Sequence, residues 1–379
     1  MPHCNEMNIV KASESYENWL AGELTVLPPD LRLKHDAMAE DFFSFFRATF
    51  YRWMQLWPQA CPECSGAPSV LAVGDLHVEN FGTWRDREGR LVWGINDFDE
   101  AFELPYTLDL VRLAASAHLA IRGAHLRIGP KDACDAILAG FVRALKTGGA
   151  PFVLSEEHRW LHDTVMTALR DPVKFWARLD GLPVLKKRAP KNARRAIEKM
   201  FPEAGLQYRL VHRIAGLGSL GRERYLGIAE YRGGKIAREA KALAPSAVTW
   251  AVKQNSGGKI LYQEILDRSV RAVDPFVQLR GRWIVRRLAP DCSRVELSSM
   301  PRERDEYKLL QCMGFETANV HLGSKAARMI FSDLQHRPEH WLHDAAQNMV
   351  NATEKDWKAW RAAAGTAKPK KKTQAARAK

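Results

Sequence analysis

The sequence predicts an α+β fold in two lobes, a mostly helical large lobe and a smaller lobe of antiparallel strands. Three observations predict it. First, apolar residues recur at helical spacing through residues 34–57, at Met38, Phe42, Phe45, Phe46, Thr49, Phe50 and Trp53. Second, alternating runs at 208–214, 224–231 and 235–243 are separated by glycines, the pattern of strand, turn, strand, hairpin and strand. Third, residues 181–206 are rich in Pro, Gly and basic groups and read as a connection between lobes. With 379 residues and 46% hydrophobic content, the chain can bury two cores.

Taken in order, residues 1–30 read as a flexible lead ending at Pro28-Pro29. Residues 31–205 form the first part of the large lobe. Within it, 58–68 is a Pro/Cys/Gly loop and 70–73 a short buried strand. A second strand falls at Leu91–Ile95. Helices are expected at 107–123, 131–146 and 156–170, with Asp132 and Ser155 as starts and Gly148-Gly149 as a stop. Residues 206–290 form the strand-rich small lobe. It includes a helix at 260–273 bearing Glu264 and a last strand at 283–288, closed by Pro290-Asp291 as a hinge. Residues 291–364 return to the large lobe as helices at 302–314 and 324–361. Residues 365–379 read as a disordered basic tail.

The chemistry concentrates near residue 75. Gly74-Asp75-Leu76-His77-Val78-Glu79-Asn80 sets an Asp and an Asn five positions apart (75 to 80). Ile95-Asn96-Asp97-Phe98-Asp99 sets a second Asp directly after an apolar strand, seventeen positions past Asn80 (80 to 97). A phosphoryl-transfer site needs one carboxylate facing the attacking hydroxyl, and an Asn and an Asp to hold magnesium against the nucleotide phosphates. A solvated acidic turn is the plain reading of either string alone; their pairing favours the site.

GDLHVEN resembles the catalytic loop of the aminoglycoside phosphotransferase and choline kinase group within the protein-kinase-like superfamily. NDFD resembles that group's metal-binding segment. Tyr106-Thr107-Leu108-Asp109-Leu110 resembles the helix that follows, whose buried Asp braces the catalytic loop; Asp109 matches it. The chain resembles more closely the bacterial family of domain of unknown function 2252, through Asp41–Arg47, GDLHVENFG, NDFDEAFELPYTLDLVRLAAS, GLGSLG with a later EAK, and Ile284–Leu288. These stretches cover most of residues 35–345 and imply no particular activity.

One feature departs from ordinary kinases. The glycine-rich loop, Gly216-Leu217-Gly218-Ser219-Leu220-Gly221, comes after the catalytic strings, with Lys241 on the third strand of its hairpin array. The resemblance therefore implies a circularly permuted kinase-like fold, cut before the catalytic strand. A dinucleotide-binding turn is the rival for this loop, but it needs a helix straight after the glycines and an acid about 20 residues on. Here a strand pattern follows, and the residue twenty on (221 to 241) is Lys.

On this reading Asp75 orients the acceptor and takes its proton. His77 accompanies it as a second catalytic candidate, with packing or hydrogen bonding inside the loop as its plainer role. Asn80 and Asp97, helped by Asp99, hold Mg²⁺. Gly216, Gly218, Ser219 and Gly221 cover the ATP phosphates, and Lys241 pairs with them. Glu264 is the candidate partner of Lys241, with Gln263 or Glu239 as alternatives. Arg286 and Arg287 alternate on their strand, so one faces the cleft. Arg47, Arg112 and His321 read as structural. The expected activity is ATP- and Mg-dependent transfer of the γ-phosphoryl group to a hydroxyl of a small-molecule acceptor. Nucleotidyl transfer by the same fold, and a silent nucleotide-binding module, stay open.

Formal charge is +13. The tail from Gly365 carries six Lys or Arg and no acid, and a second cluster spans 186–199. These segments leave open a third class, a binder of nucleic acid or another polyanion, although no nucleic-acid module accompanies them. Of six Cys, only Cys61 and Cys64 have metal-ligand spacing, and a second such pair is missing. They read as reduced thiols in a surface loop. No apolar run reaches the ~20 residues of a membrane span, and the N-terminus lacks a basic-then-apolar leader pattern. A cytoplasmic protein is expected; its oligomeric state is not legible.

Overall fold

The computed structural model describes residues 7–366, except 155–157, 167–170, 186–187, 254–257, 293 and 302–303. Helix α1 (Ile9–Glu23) opens on Asn8, whose side chain accepts the Lys11 N–H at 3.0 Å. Ile9, Ala12, Tyr16 and Leu20 share one face and are buried. From residue 9 onward this corrects the flexible lead expected over residues 1–30. Burial of that stripe offsets the entropy of ordering the segment.

The single helix expected over 34–57 divides into α2 (Pro28–Glu40), α3 (Phe42–Ala48) and α4 (Phe50–Ala60). Asp41 leaves the helical conformation and accepts the Ser44 N–H at 2.7 Å, capping α3. Thr49 interrupts the path again before α4. Cys61 and Cys64 follow, and both are fully buried, not in a surface loop as expected. The turn they occupy folds inward, and Cys61 Sγ lies 3.5 Å from the carbonyl of Ala345.

Strands β1 (Ser69–Ala72), β2 (Phe81–Arg85), β3 (Leu91–Ile95) and β4 (Phe102–Pro105) come next. β1 pairs antiparallel with β4, and β2 with β3. Two loops emerge from these pairs, residues 73–80 and 96–101. The β2–β3 ladder sets Phe81 opposite Ile95, and the Asn96 N–H continues it to the Asn80 carbonyl at 3.0 Å. Backbone register therefore fixes the two loops side by side.

Helix α5 (Tyr106–Arg122) is buried from Tyr106 to Ala120. Helix α6 (Pro130–Thr147) has Pro130 in its first turn and ends at Gly148, φ 81°. The start expected at Ser155 lies outside the described residues. Strand β5 (Phe152–Val153) adds to β3. Helices α7 (Arg159–Met166), α8 (Pro172–Asp180) and α9 (Lys191–Glu198) lead to the second sheet, so the expected connection at 181–206 itself contains a helix.

That sheet holds β6 (Arg209–His212), β7 (Arg224–Tyr231), β8 (Gly234–Ala242), β9 (Gln278–Arg280) and β10 (Trp283–Leu288), in spatial order β6-β7-β8-β10-β9, all antiparallel. Between β8 and β9 lie α10 (Ala247–Ala251) and α11 (Tyr262–Arg268), the latter shorter than the helix expected at 260–273. The chain then returns through α12 (Glu306–Leu322), α13 (Ala327–Gln335) and α14 (Trp341–Thr366). α12 packs on α6 with almost no gap. A Cβ on Gly140 would fall 1.8 Å from the Gln311 carbonyl, and one on Gly314 would fall 1.9 Å from that of Ile137. Only paired glycines allow the two backbones this approach. The basic tail beyond residue 366 and Lys186-Lys187 lie outside the described residues. Among the described residues, no helix is long and apolar enough to cross a membrane.

Candidate active site

A cleft of about 450 Å³ lies between the second sheet and the helical body, within the size range of small-molecule sites. Its floor is the 73–80 loop. Asp109, fully buried on α5, accepts the N–H groups of Val73 and Gly74 at 2.8 Å each and contacts His321 Nε2 at 2.8 Å. The Ser116 hydroxyl accepts the Val78 N–H at 3.0 Å. Asn80 Oδ1 accepts the His77 N–H at 2.7 Å. The loop is thus held at both ends by α5 and closed on itself by Asn80.

Asp75 is asymmetric. Its Oδ1 accepts from Arg112, at 2.7 Å from Nε and more closely from Nη2. Arg112 is wholly buried on α5, its guanidinium 4.1 Å from the Phe46 ring centre, 4.7 Å from Trp53 and 5.1 Å from Phe50. Among the described residues, Asp75 Oδ2 takes no hydrogen bond and opens toward Gly218 across the cleft. Burial raises the Asp75 carboxyl to about 6 against the pull of Arg112. Burial, then Arg47, Arg112 and Arg294, hold His77 well below the usual imidazole range. Its neutral Nδ1 accepts the Glu79 N–H at 3.2 Å. That geometry favours the plainer of the two roles expected for His77, hydrogen bonding inside the loop, over proton transfer.

The second wall is one face of the sheet. Register sets Lys241 opposite Arg224 on β7, and Glu239 opposite Arg286 on β10. Because strand side chains alternate, all four point to the same side. Lys241 is fully buried and reaches Asp99 Oδ1 at 2.5 Å and Asp97 Oδ1 at 3.4 Å. Burial alone would raise Asp97; Lys241, then Arg286, hold it far below the usual carboxylate range. Burial, then the Asp97 charge, push Asp99 up to about 6. Asp97 is the more open of the two, its side chain 38% exposed against 12% for Asp99.

The Gly216–Gly221 turn roofs the floor. Gly216 and Gly221 have φ of 75° and 95°, and Ser219 Oγ receives Arg224 Nη2 at 2.6 Å. A Cβ on Gly218 would stand 3.1 Å from the Arg47 carbonyl and 3.7 Å from Asp75 Oδ2. Glycine there lets the turn close onto the floor.

One sequence assignment needs correction, the partner of Lys241. Glu264 does not meet Lys241; it pairs with Arg268 at 2.6 Å and Lys259 at 3.1 Å on the outer side of α11. The alternatives are also engaged elsewhere. Gln263 accepts the Leu279 N–H, and Glu239 pairs with Arg224, Arg286 and Arg213. The partners of Lys241 are Asp97 and Asp99 themselves.

Residues 27–162 match the model of a family described as "Uncharacterized protein conserved in bacteria (DUF2252)". The DUF2252 match is narrower than the 35–345 resemblance. It contains the floor, with Asp75, Asn80, Asp97, Asp99 and Asp109, and ends before the sheet that carries Lys241. No curated protein and no solved structure matches the chain.

Several site residues escaped the sequence reading. Arg112, set aside as structural, grips Asp75. Arg47 pairs with Glu79 at 2.7 Å beside the cleft. Tyr16, in the supposed lead, lies 3.4 Å from Arg222, which also pairs with Glu100 at 3.2 Å. Arg112 carried a usable signal. A charge in the middle of the apolar helix pattern at 107–123 must be paired, because an isolated buried charge is too costly.

Proposed function

We propose that the chain is an ATP- and magnesium-dependent phosphotransferase acting on a hydroxyl of a small-molecule acceptor. One observation carries this reading. Lys241, from the sheet, meets Asp97 and Asp99 beside Asp75, although 144 positions separate Lys241 from Asp97 (241 minus 97). A phosphoryl-transfer site asks for that convergence, since positioning and charge neutralisation supply most of its catalysis. The same reading takes the architecture as kinase-like and circularly permuted, with the sheet as the small lobe inserted between two parts of the helical one.

The donor set suits a magnesium nucleotide. Asp97 presents a hard oxygen to the cleft, and Asn80 Oδ1 keeps a second lone pair beyond its bond to His77. Buried donors without partners, Arg271 Nε and Nη1, line the same cleft and favour an anionic occupant. Asn80 and Asp97, with Asp99, would hold Mg²⁺, which with ATP supplies a charge-neutralised γ-phosphoryl group.

Asp75 Oδ2 is the free oxygen facing the cleft. It orients the acceptor hydroxyl and receives its proton, while Arg112 fixes Oδ1. A carboxyl raised to about 6 is a better proton acceptor at neutral pH than an ordinary carboxylate. Lys241 and Arg286 present positive charge from the sheet. The Gly216–Gly221 turn covers the site and keeps water from competing with the acceptor.

The test uses the full chain with magnesium and ATP labelled at the γ-phosphoryl group, offered sugars, aminoglycosides, choline-like amines and lipid head groups. Label should pass to one acceptor class and be lost in Asp75→Asn. Parallel reactions with α-labelled ATP detect nucleotidyl transfer; label transfer from that position would replace the proposal.

A further inference from the structure

Away from the cleft, three helices bring together His118 on α5, Cys134 on α6 and His343 on α14. One ligand atom from each lies within 4.8 Å of the other two. We propose that these three side chains bind a thiophilic transition-metal ion, Zn²⁺ by the chemistry of its ligands, and that the ion clamps α5 to α6 and α14. The proposal stands whether or not the cleft transfers phosphoryl groups.

One edge of the cluster has the length it would have around a bound ion. Zinc takes thiolate sulfur at about 2.3 Å and imidazole nitrogen at about 2.0–2.1 Å, so a tetrahedral edge between them is about 3.6 Å. Cys134 Sγ and His118 Nε2 stand 3.5 Å apart. The two imidazole rings are 5.2 Å apart and inclined by 52°, so they converge without stacking. Mixed thiolate and imidazole ligation suits zinc above magnesium or calcium.

The surroundings also fit. His118 and Cys134 are 2% and 1% exposed. His343 is half-buried and gives the ion a path from solvent. Its Nδ1 is buried without a hydrogen-bond partner, so the ring has bonding capacity that the protein does not use. Three protein ligands leave a fourth position for water.

The position explains what such an ion would do. Asp109, Arg112 and Ser116, which hold the 73–80 loop, sit on α5, and His118 lies two residues past Ser116. The ion would fix the C-terminal half of this helix against its neighbours. Its role would be to position the loop, without contact with a substrate. The Cys61/Cys64 pair is separate, and its sulfurs are absent from the cluster.

Full-length protein stripped with a chelator would be titrated with Co²⁺, then with Zn²⁺. Folded wild-type protein should develop a thiolate-to-cobalt charge-transfer band that zinc abolishes. Cys134→Ser should lose the band; the Cys61→Ser/Cys64→Ser double variant should keep it. His343→Gln, at a half-exposed position, should retain the wild-type circular dichroism spectrum and lose about 100-fold in zinc affinity, at the upper end of what even outer-shell changes cost. Zinc should raise the unfolding midpoint of wild type but not of His343→Gln. No cobalt band in the folded protein, or a band that survives Cys134→Ser, would leave a plain thiol–imidazole hydrogen bond and overturn the proposal.

Discussion

Arg112→Met isolates the ion pair that holds Asp75. The substitution keeps an unbranched stem among Phe46, Phe50 and Trp53 and removes the charge. Asp75 then stays in place, its side chain only 20% exposed, with no cation against Oδ1. Breaking a buried pair from one side costs about 3–5 kcal/mol. Part of that loss is packing: the guanidinium also meets three rings and the Phe46 carbonyl at 3.0 Å, together worth about 1–2 kcal/mol. In an Asp75→Asn background only this second part should remain. The coupling between the two sites at pH 8 is therefore about 1–4 kcal/mol.

The pH dependence sharpens the test. The Asp75 pKa is raised from 3.8 to about 6, so the folded state binds this proton more tightly than the unfolded chain. Stability from this group falls as pH rises from about 4 to about 6, by about 3 kcal/mol, and is level above that. At pH 5 most Asp75 carboxyls are protonated even with Arg112 present, so the coupling should shrink toward zero. Urea unfolding of the four chains at pH 5 and pH 8 measures it. Coupling below about 0.5 kcal/mol at pH 8 would mean that Arg112 acts through packing alone and that no ion pair holds Asp75.

Other expectations follow from the same contacts. Turnover should rise with pH through about 6 as Asp75 ionises, with a slope of one proton, read from initial rates once an acceptor is known. Lys241→Met should lower turnover by about 10²–10³, as for loss of one electrostatic stabiliser, and steady-state kinetics at saturating ATP would show it. Gly140→Ala should destabilise the fold by about 1–3 kcal/mol or more in urea unfolding, because its methyl group would meet the Gln311 carbonyl. Removing residues 367–379 should leave the unfolding midpoint unchanged and reduce only salt-sensitive binding to polyanions, measured on heparin or nucleic acid at graded salt.

The second sheet was legible where pattern and turn chemistry agree. Arg224–Tyr231 and Trp283–Leu288 appear with the expected boundaries. Alternation marks them, and the Arg232-Gly233 turn, φ 49° and 85°, suits a two-residue hairpin. The long buried helix after Pro105 was equally plain from its unbroken apolar run. Helix α1 was missed because its stripe is diluted by Ser, Glu and Asn, and only tertiary burial shows its worth. The breaks at Asp41 and Thr49 were hidden inside a continuous aromatic pattern. In the cleft, sequence named Asp75, Asn80 and Asp97 by residue type and spacing, and Lys241 through the kinase resemblance. It could not name the partner of Lys241, because that contact depends on how sheet and loops meet. Tyr16 was obscured for the same reason: it reaches Arg222 across an interface between distant segments.

Magnesium-dependent ATP binding tests the central claim most directly. Isothermal titration of the full chain with ATP, with and without Mg²⁺, would be run beside Asp97→Asn. One ATP should bind per chain only with magnesium present, and Asp97→Asn should lose at least tenfold in affinity with folding intact. A folded chain that binds no ATP with magnesium present, or binds it equally well without Asp97, would contradict the claim.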